Sequence, residues 1–392
     1  MLTIFSDWTG GDQSNFGNVV AEFTKETGID VELSGSTDFL PVLQTRIASG
    51  NVPMVAIVPR PGVIADFVSQ KLLQPLDSLG VDVAGNFSSA MASLGAVDGK
   101  NYGLVVKANS KSVIYYRPQA ISGAAPAPAT WDAFKALLTQ TATGSVKPLV
   151  VTAKDSWTLT DWFENVYLRT AGPDKYQQLF TGKLPFTDPS VKTALQTMLS
   201  IIGNSAYVTG GLQVAQSTGY NDGLARVFGL KPDADFIMEG GFTTSVVTTS
   251  VNTKVVPGKD MSFFPFPDIN SAYKGSLELG ADFAVAFKSN DATKKFMAFL
   301  AQPSTAKLFA AGGVITPNKN ADTSALPNVL IQKESQLITT ATTVVFDGSD
   351  QMPGGVGNDW ASALQGIYAS PNSIDSILSQ FQASAKSSGF GS

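Results

Sequence analysis

The sequence contains neither histidine nor cysteine. Without cysteine there is no disulfide framework and no thiol nucleophile. Without histidine there is no serine–histidine triad, no histidine-ligated zinc and no imidazole acid–base catalysis. Among enzymes, those built on paired carboxylates or on lysine survive this cut. Charge is sparse as well: 15% of residues are charged, the net charge is -5 and the pI is near 4.9. That balance, with no basic run anywhere, argues against a nucleic-acid or anionic-membrane partner. No apolar stretch reaches membrane-spanning length. The chain opens directly on strand-like Leu2–Phe5 with no export segment ahead of it. This is the expectation for a cytosolic protein or for a mature form whose export segment has been removed.

What is present is a chain of 392 residues, 43% hydrophobic, too long for one ordinary core. Two domains are therefore expected. Leu2–Phe5 reads as a buried strand, followed by a loop at Asp7–Gly11 and a helix over Ser14–Thr27 with Gly28 as its stop. Ile29, Val31 and Leu33 alternate as a second strand. Thr37 or Asp38 can cap a helix carrying Leu40, Leu43 and Ile47. Met54–Val58 is a third strand and Val63–Leu72 a third helix. This β-α-β-α-β-α order implies an α/β fold with a parallel sheet covered by helices. Ligands of such sheets sit beyond the carboxyl ends of strands, here Asp7-Trp8, Gly35–Phe39 and Pro59–Gly62.

Further on, a Pro-rich connection at Ala124–Thr130 leads into a helix over Trp131–Thr141. Other helices are expected at Trp157–Arg169, ended by Gly172-Pro173, and from Asp188-Pro189. Late helices are expected at 291–301, 304–311, 328–340, 357–369 and 371–384. Two stretches stand apart. Asn101–Pro118 holds two strand-like runs, Leu104–Val106 and Val113–Tyr116, separated by the polar Lys107–Lys111. Leu277–Phe287 is a strand interrupted by Gly280-Ala281-Asp282. On its residues alone the first is an ordinary hairpin with a solvated loop. No internal repeat is present.

The order of these elements and several short motifs resemble an extracellular solute-binding protein (family 1) of a bacterial ABC sugar importer. The motifs are Trp8-Thr9-Gly10, Phe23–Val31, Leu43–Pro53, Ser112–Tyr116 and Lys307–Lys319. Within that family, Asp161–Asn165 with Leu168–Pro173, Gly240-Gly241-Phe242 and Phe346–Pro353 look most like the α-glucoside and maltodextrin binders. The sequence departs at Met54, where the family usually has Asp; that puts a local loop contact in doubt. The resemblance implies a periplasmic-binding-protein-like fold, two α/β lobes joined by crossing hinge segments with a ligand cleft between them. The lobes would be 1–108 plus 280–314, and 109–279 plus 315–392. Asn101–Pro118 and Leu277–Phe287 would be the crossings. It further implies an extracytoplasmic monomer, periplasmic or a cell-surface lipoprotein, that delivers an oligosaccharide to ABC importer permease subunits. No cofactor and no metal is expected. Zinc and iron lack their ligands here, while oxygen-only sites for hard cations stay open.

A sugar offers hydroxyls and an apolar C–H face, so its site needs aromatic platforms and charged or amide hydrogen-bond partners. The ligand-binding candidates are Trp8, Asp38, Phe39, Arg60, Lys107, Asn109, Asp161, Trp162, Gly241, Phe242, Asp282 and Asp350. Each has a plainer alternative. Trp8 can be a loop anchor, Asp38 a helix cap, and Arg60 or Lys111 a solvated charge. Trp162 can be core, Asp161 and Glu164 can cap or solvate their helix, and Asp350 can make an Asx turn. Phe242 follows two glycines that permit close backbone approach. Asp282 is unexpected inside an apolar strand. Asn109 lies where relatives place a polar ligand contact. Two readings of function follow. The first is non-catalytic capture of an α-glucoside, with a polyol or amino sugar as a nearer alternative ligand. The second is an enzyme acting on carbohydrate through Asp161 or Asp282 against Asp350.

Overall fold

The computed structural model describes residues 1–36, 38–111, 113–121, 127–142 and 147–391. Thr37, one of the two expected caps, lies outside them, as do Ser112, the start of the Pro-rich connection at 124–126, and the terminal Ser392. The chain divides into two compact units, residues 1–109 with 280–340, and 110–279 with 341–392. It therefore passes from one unit to the other after residues 109, 279 and 340.

In the first unit, strand Leu2–Ser6 is central, parallel to Val31–Gly35 on one side and to Val55–Val58 on the other. The second half of strand Ser276–Ala286 adds antiparallel to Val55–Val58. Helix Gly10–Thr27 begins four residues earlier than its apolar period suggests. It ends as expected on Gly28, whose φ of 69° lets its N–H reach the carbonyl of Thr24 at 2.8 Å. Its buried Phe16 and Phe23 pack on Phe296, Phe299 and Phe309, making a ring-rich core under the sheet. At the departure Met54, the backbone N–H still bonds the carbonyl of Thr3 at 3.0 Å, so the strand is entered normally.

Residues 315–340 belong to this unit, where the sequence reading assigns them to the other. The reason is visible in their bonds. Ile315 accepts from the N–H of Ala108, Thr316 Oγ1 donates to the carbonyl of Val106, and Asn318 Nδ2 donates to the carbonyl of Ala301.

In the second unit, strands Ser262–Pro265, Val113–Tyr116, Phe236–Glu239 and Leu149–Val150 form a sheet in that order, the last pair parallel and the others antiparallel. Helix Ser156–Ala171 runs through the core. Residues 158–169 of it are all buried. It packs on helices Pro189–Ile202, Gly354–Ala369 and Pro173–Phe180. Asp188 caps helix Pro189–Ile202 as expected, accepting from the N–H of Ser190. Strand Thr343–Phe346, absent from the sequence reading, lies parallel to residues 276–279. Helices Pro173–Phe180 and Gly211–Ser217 were likewise not expected, because Gly172-Pro173 reads as a stop rather than a restart.

Two further expectations are corrected. Gly103–Ser110 is one continuous strand, so Lys107–Ser110 is not a polar loop. Ser276–Ala286 is one uninterrupted strand of 11 residues. Its Gly280–Asp282 segment lies between two different pairings, Leu279 with Phe346 and Phe283 with Val58.

Candidate functional sites

The first unit gathers a small ionic cluster beyond the carboxyl end of its central strand. Trp8 is buried, with edge contacts to Phe16 and Phe309 at 5.0 and 6.1 Å. Its indole Nε1 donates to Asp282 Oδ2 at 2.9 Å. Lys107 pairs with Asp12 at 2.8 Å, stands 3.9 Å from Asp282, and holds its ammonium 5.7 Å from the centre of the Trp8 ring. Asp7 Oδ1 is buried without a hydrogen-bond partner among the described residues. Burial first, then the neighbouring Asp282, pushes the Asp7 carboxyl up to about 7. Burial also raises Asp282, against the pull of Lys107 and the Trp8 N–H. The alternation of Lys107 and Asn109, half-buried, with Ala108 and Ser110, buried, is that of a strand with one polar face.

The second unit builds a different site around Lys111. Its ammonium lies 3.3 Å from Asp161 and 3.1 Å from Asp347, both buried. On another side it faces aromatic rings, 5.4 Å from the Trp157 centroid and 5.9 Å from that of Phe242. Trp157, Tyr220 and Phe242 form a trio with centroids 5.4 to 6.2 Å apart, each ring part-exposed. Tyr220 is steadied by its hydroxyl contact with Thr243 Oγ1 at 2.9 Å. Gly241 supplies backbone: its N–H donates to Ser110 and its carbonyl accepts from Tyr115 Oη at 2.9 Å. At Gly240 a Cβ would come within 2.3 Å of the Phe242 ring, so glycine there is what lets that ring fold back over the backbone.

Behind the rings lies an unusual density of buried carboxylates. Asp161, Glu278 and Asp347 bring oxygens within 4.8 Å of one another. That is the geometry of a cation site, and the cation already among them is the Lys111 ammonium. Burial lifts Asp161 to about 7 even against Lys111. It lifts Glu164, Glu239 and Glu278 well above the usual carboxylate range, with Asp347, Asp161 and Glu164 adding repulsion among them. Lys111 is itself held well above its ordinary value: burial opposes this, and Asp161, Asp347, Asp350 and Glu278 outweigh it together.

The expected site residues thus fall into groups. Trp8, Lys107 and Asp282 come together in the first unit, with Asn109 on the same strand as Lys107. Asp161, Gly241 and Phe242 come together in the second, around Lys111. Asp350 is exposed in the first turn of a short helix, where its N–H bonds Asp347 Oδ1 at 3.1 Å. Asp38 is exposed at the start of helix Phe39–Ala48, and Arg60 is half-buried at the start of helix Pro61–Ser69, neither making a side-chain cap bond. Phe39 and Trp162 are core residues. Phe39 stacks on Phe5 at 5.2 Å, and Trp162 is 1% exposed with its ring edge-on to Phe266. Trp157, Tyr220 and Asp347 were passed over. The available signal was spacing: Trp157 precedes Asp161 by one helical turn, and Tyr220 and Phe242 each follow a glycine.

Residues 18–337 match the family described as bacterial extracellular solute-binding protein. The chain is 31% identical over 372 residues to the α-glucosides-binding periplasmic protein AglE of Rhizobium meliloti, covering 91% of this chain and 80% of that protein. It is 30% identical over 364 residues to the osmoprotective compounds-binding protein GgtB of Synechocystis, covering 91% and 85%. Among solved structures, the bacterial solute receptor AcbH, described as preferring β-D-galactopyranose exclusively, superposes with a TM-score of 0.86 at 21% identity, covering 98% and 99%. Unliganded RafE of Streptococcus pneumoniae gives a TM-score of 0.78 at 17% identity, covering 98% and 97%. The fold is therefore the two-lobed α/β fold of these receptors, and the chain belongs to the bacterial extracellular solute-binding proteins.

Proposed function

We propose that this protein captures a carbohydrate, an α-glucoside or a short α-linked glucooligosaccharide, and hands it unchanged to the permease subunits of an ABC importer. The observation that carries the reading is the part-exposed trio Trp157, Tyr220 and Phe242 beside Lys111, backed by Asp161 and Asp347. Flat rings suit the C–H face of a pyranose, and a charged group at their edge suits its hydroxyls. Gly241, and from the first unit Lys107, Asn109 and Asp282, are included as further contacts. Asp38, Arg60 and Asp350 are retained as polar contacts to be tested. The protein works as a monomer outside the cytoplasm, in a periplasm or tethered at the cell surface. Catalysis is not part of this reading, in which Asp161 is a buried partner of the Lys111 ammonium.

A second reading is a polyol or other osmoprotective solute. It is favoured by the match to GgtB, at 30% identity against 31% for AglE and over 85% of that protein against 80%. A thermal-melt panel separates the two. A solute that binds only the native state raises stability by RT ln(1 + [L]/Kd). A shift by maltose, trehalose, sucrose or isomaltose, with the sugar recovered intact, supports the first reading. A shift by polyols alone supports the second, and release of cleaved sugar overturns both.

A further inference from the structure

Helix Ser156–Ala171 is buried along nearly its whole length, yet one stripe of it is polar: Asp161, Glu164, Asn165 and Arg169. Their spacing of three and four residues puts them on one face. None is more than 2% exposed. Four polar groups in such a place need partners, and the partners share a feature. Apart from Tyr176 and the bonds within the helix itself, the partners named below lie on the three segments by which the chain enters or leaves the second unit.

The first segment reaches Lys111, two residues beyond the passage after Asn109. Its carbonyl accepts from Asn165 Nδ2 at 2.9 Å, and its ammonium pairs with Asp161. The second holds Ser276 and Glu278, just before the passage after Leu279. Glu278 Oε2 accepts from Asn165 Nδ2 at 2.8 Å, and the carbonyl of Ser276 accepts from Arg169 Nη2 at 2.7 Å. The third follows the passage after Thr340. There the N–H groups of Gly348 and Ser349 donate to the Glu164 carboxylate, which also accepts from Tyr176 Oη of helix Pro173–Phe180 at 2.7 Å. The segments are also tied to one another. The N–H of Lys111 donates to the carbonyl of Glu278, and that of Asp347 to the carbonyl of Leu279, both at 2.9 Å.

Asn165 is the joint of this arrangement. One amide NH2 group serves the first and second segments together, while its Oδ1 accepts from Arg169 Nη1 at 2.9 Å. The segment it holds is the one that carries Lys111 to the aromatic rings. We infer that Asn165 is a positioning residue for solute capture: it fixes Lys111 over the Trp157 and Phe242 rings and couples it to the strand carrying Glu278. This rests on the reading of the Lys111 cluster as the solute site.

The test exchanges donor and acceptor. Asn165→Asp removes the amide donor and sets two carboxylates together. Glu278→Gln added to it places an amide opposite a carboxylate again, with the formal charge of the pair unchanged. Calorimetric titration with the bound sugar is expected to show about a tenfold loss of affinity for Asn165→Asp and partial recovery, to about threefold below wild type, in the double variant, where the pair with residue 278 is restored while the Lys111 carbonyl stays without its donor. A general loss of packing would not be repaired by the exchange. Amide hydrogen exchange without solute gives a second readout. Protection at Lys111 and Gly348 falls in Asn165→Asp and returns in the double variant, while that of strand Val113–Tyr116 holds. Should Asn165→Asp not fold, Glu278→Ala, which removes the acceptor of the Asn165 amide, loosens the same amides. Wild-type affinity in Asn165→Asp, or losses that simply add, would overturn the coupling. Failure of the wild-type protein to bind any sugar would overturn the site reading instead, and hydrogen exchange would still judge the joint.

Discussion

The two units solve the same local problem, an aromatic residue among charges, in opposite ways. In the first, Trp8 is enclosed by Phe16 and Phe309, and its one polar atom is committed to Asp282. In the second, Trp157, Tyr220 and Phe242 are only part-buried, and Lys111, over two of these rings, is itself held by the buried carboxylates. A ring whose edge and faces are already used serves to hold a loop. A ring fixed from behind serves to receive something. On the proposed function, stacking on the solute falls to the rings of the second unit.

The sharpest way to break that contrast is Lys111→Met. It leaves Asp161 and Asp347 buried without their cation, a situation that costs about 3–5 kcal/mol. Solute affinity is expected to fall by about a hundredfold or more, which is roughly 2.7 kcal/mol. The loss of stability should be smaller at pH 5 than at pH 8, because Asp161, raised to about 7, is protonated at the lower value and no longer needs the ammonium. Melting curves at the two values, with and without sugar, check both statements.

Next in size is the aromatic trio. Phe242→Ala and Trp157→Ala should each weaken binding about tenfold while the apo melting temperature moves little, since these rings are part-exposed. Phe39→Ala is the converse, costing about 3 kcal/mol of stability in the Phe5 stack and leaving affinity within about twofold. Denaturant unfolding beside calorimetry separates the two kinds of loss.

The carboxylates supply a pH signature. Asp161 is raised to about 7, and Glu164, Glu239 and Glu278 are raised as well, so the folded state holds protons that the unfolded state gives up earlier. A raised carboxyl contributes stability fully below its unfolded value near 4, and that contribution is lost as pH climbs through the folded value. Lys111 is raised too, and its contribution persists until far above neutrality. The melting temperature should therefore drop by a few degrees between pH 5 and pH 8. Asp161→Asn should flatten part of that slope. A melting temperature that rises over this range would contradict the assignment. The smallest effect belongs to Trp8→Phe. It forfeits one hydrogen bond to Asp282, about 1 kcal/mol of stability, and should leave affinity within about threefold.

Much of this fold is legible in the sequence because its first hundred residues obey simple periods. Leu2–Phe5, the helix face at Phe16, Val19 and Phe23, and Gly28 as terminator all fall where patterning places them. What misleads is local chemistry overruled by pairing. Gly280–Asp282 reads as a break, yet the strand runs through it because it changes partners there. Lys107–Ser110 reads as a loop, yet its alternation is that of a strand with one polar face. The site was less legible. Trp157 and Trp162 lie on one helix five residues apart, and only packing decides that Trp162 meets Phe266 in the core while Trp157 joins Tyr220 and Phe242. Asp347, Glu278 and Asn165 become partners of Lys111 through contacts made across more than fifty residues of chain, which no local pattern records.

The central claim is that sugar is held at the Lys111 cluster of the second unit. Its most direct test is titration calorimetry of the α-glucoside panel against the wild-type protein and Phe242→Ala in parallel. The expected result is a saturable signal with at least one α-glucoside, weakened about tenfold by the substitution at unchanged melting temperature. Binding of equal strength in both proteins would contradict it and move the site away from these rings.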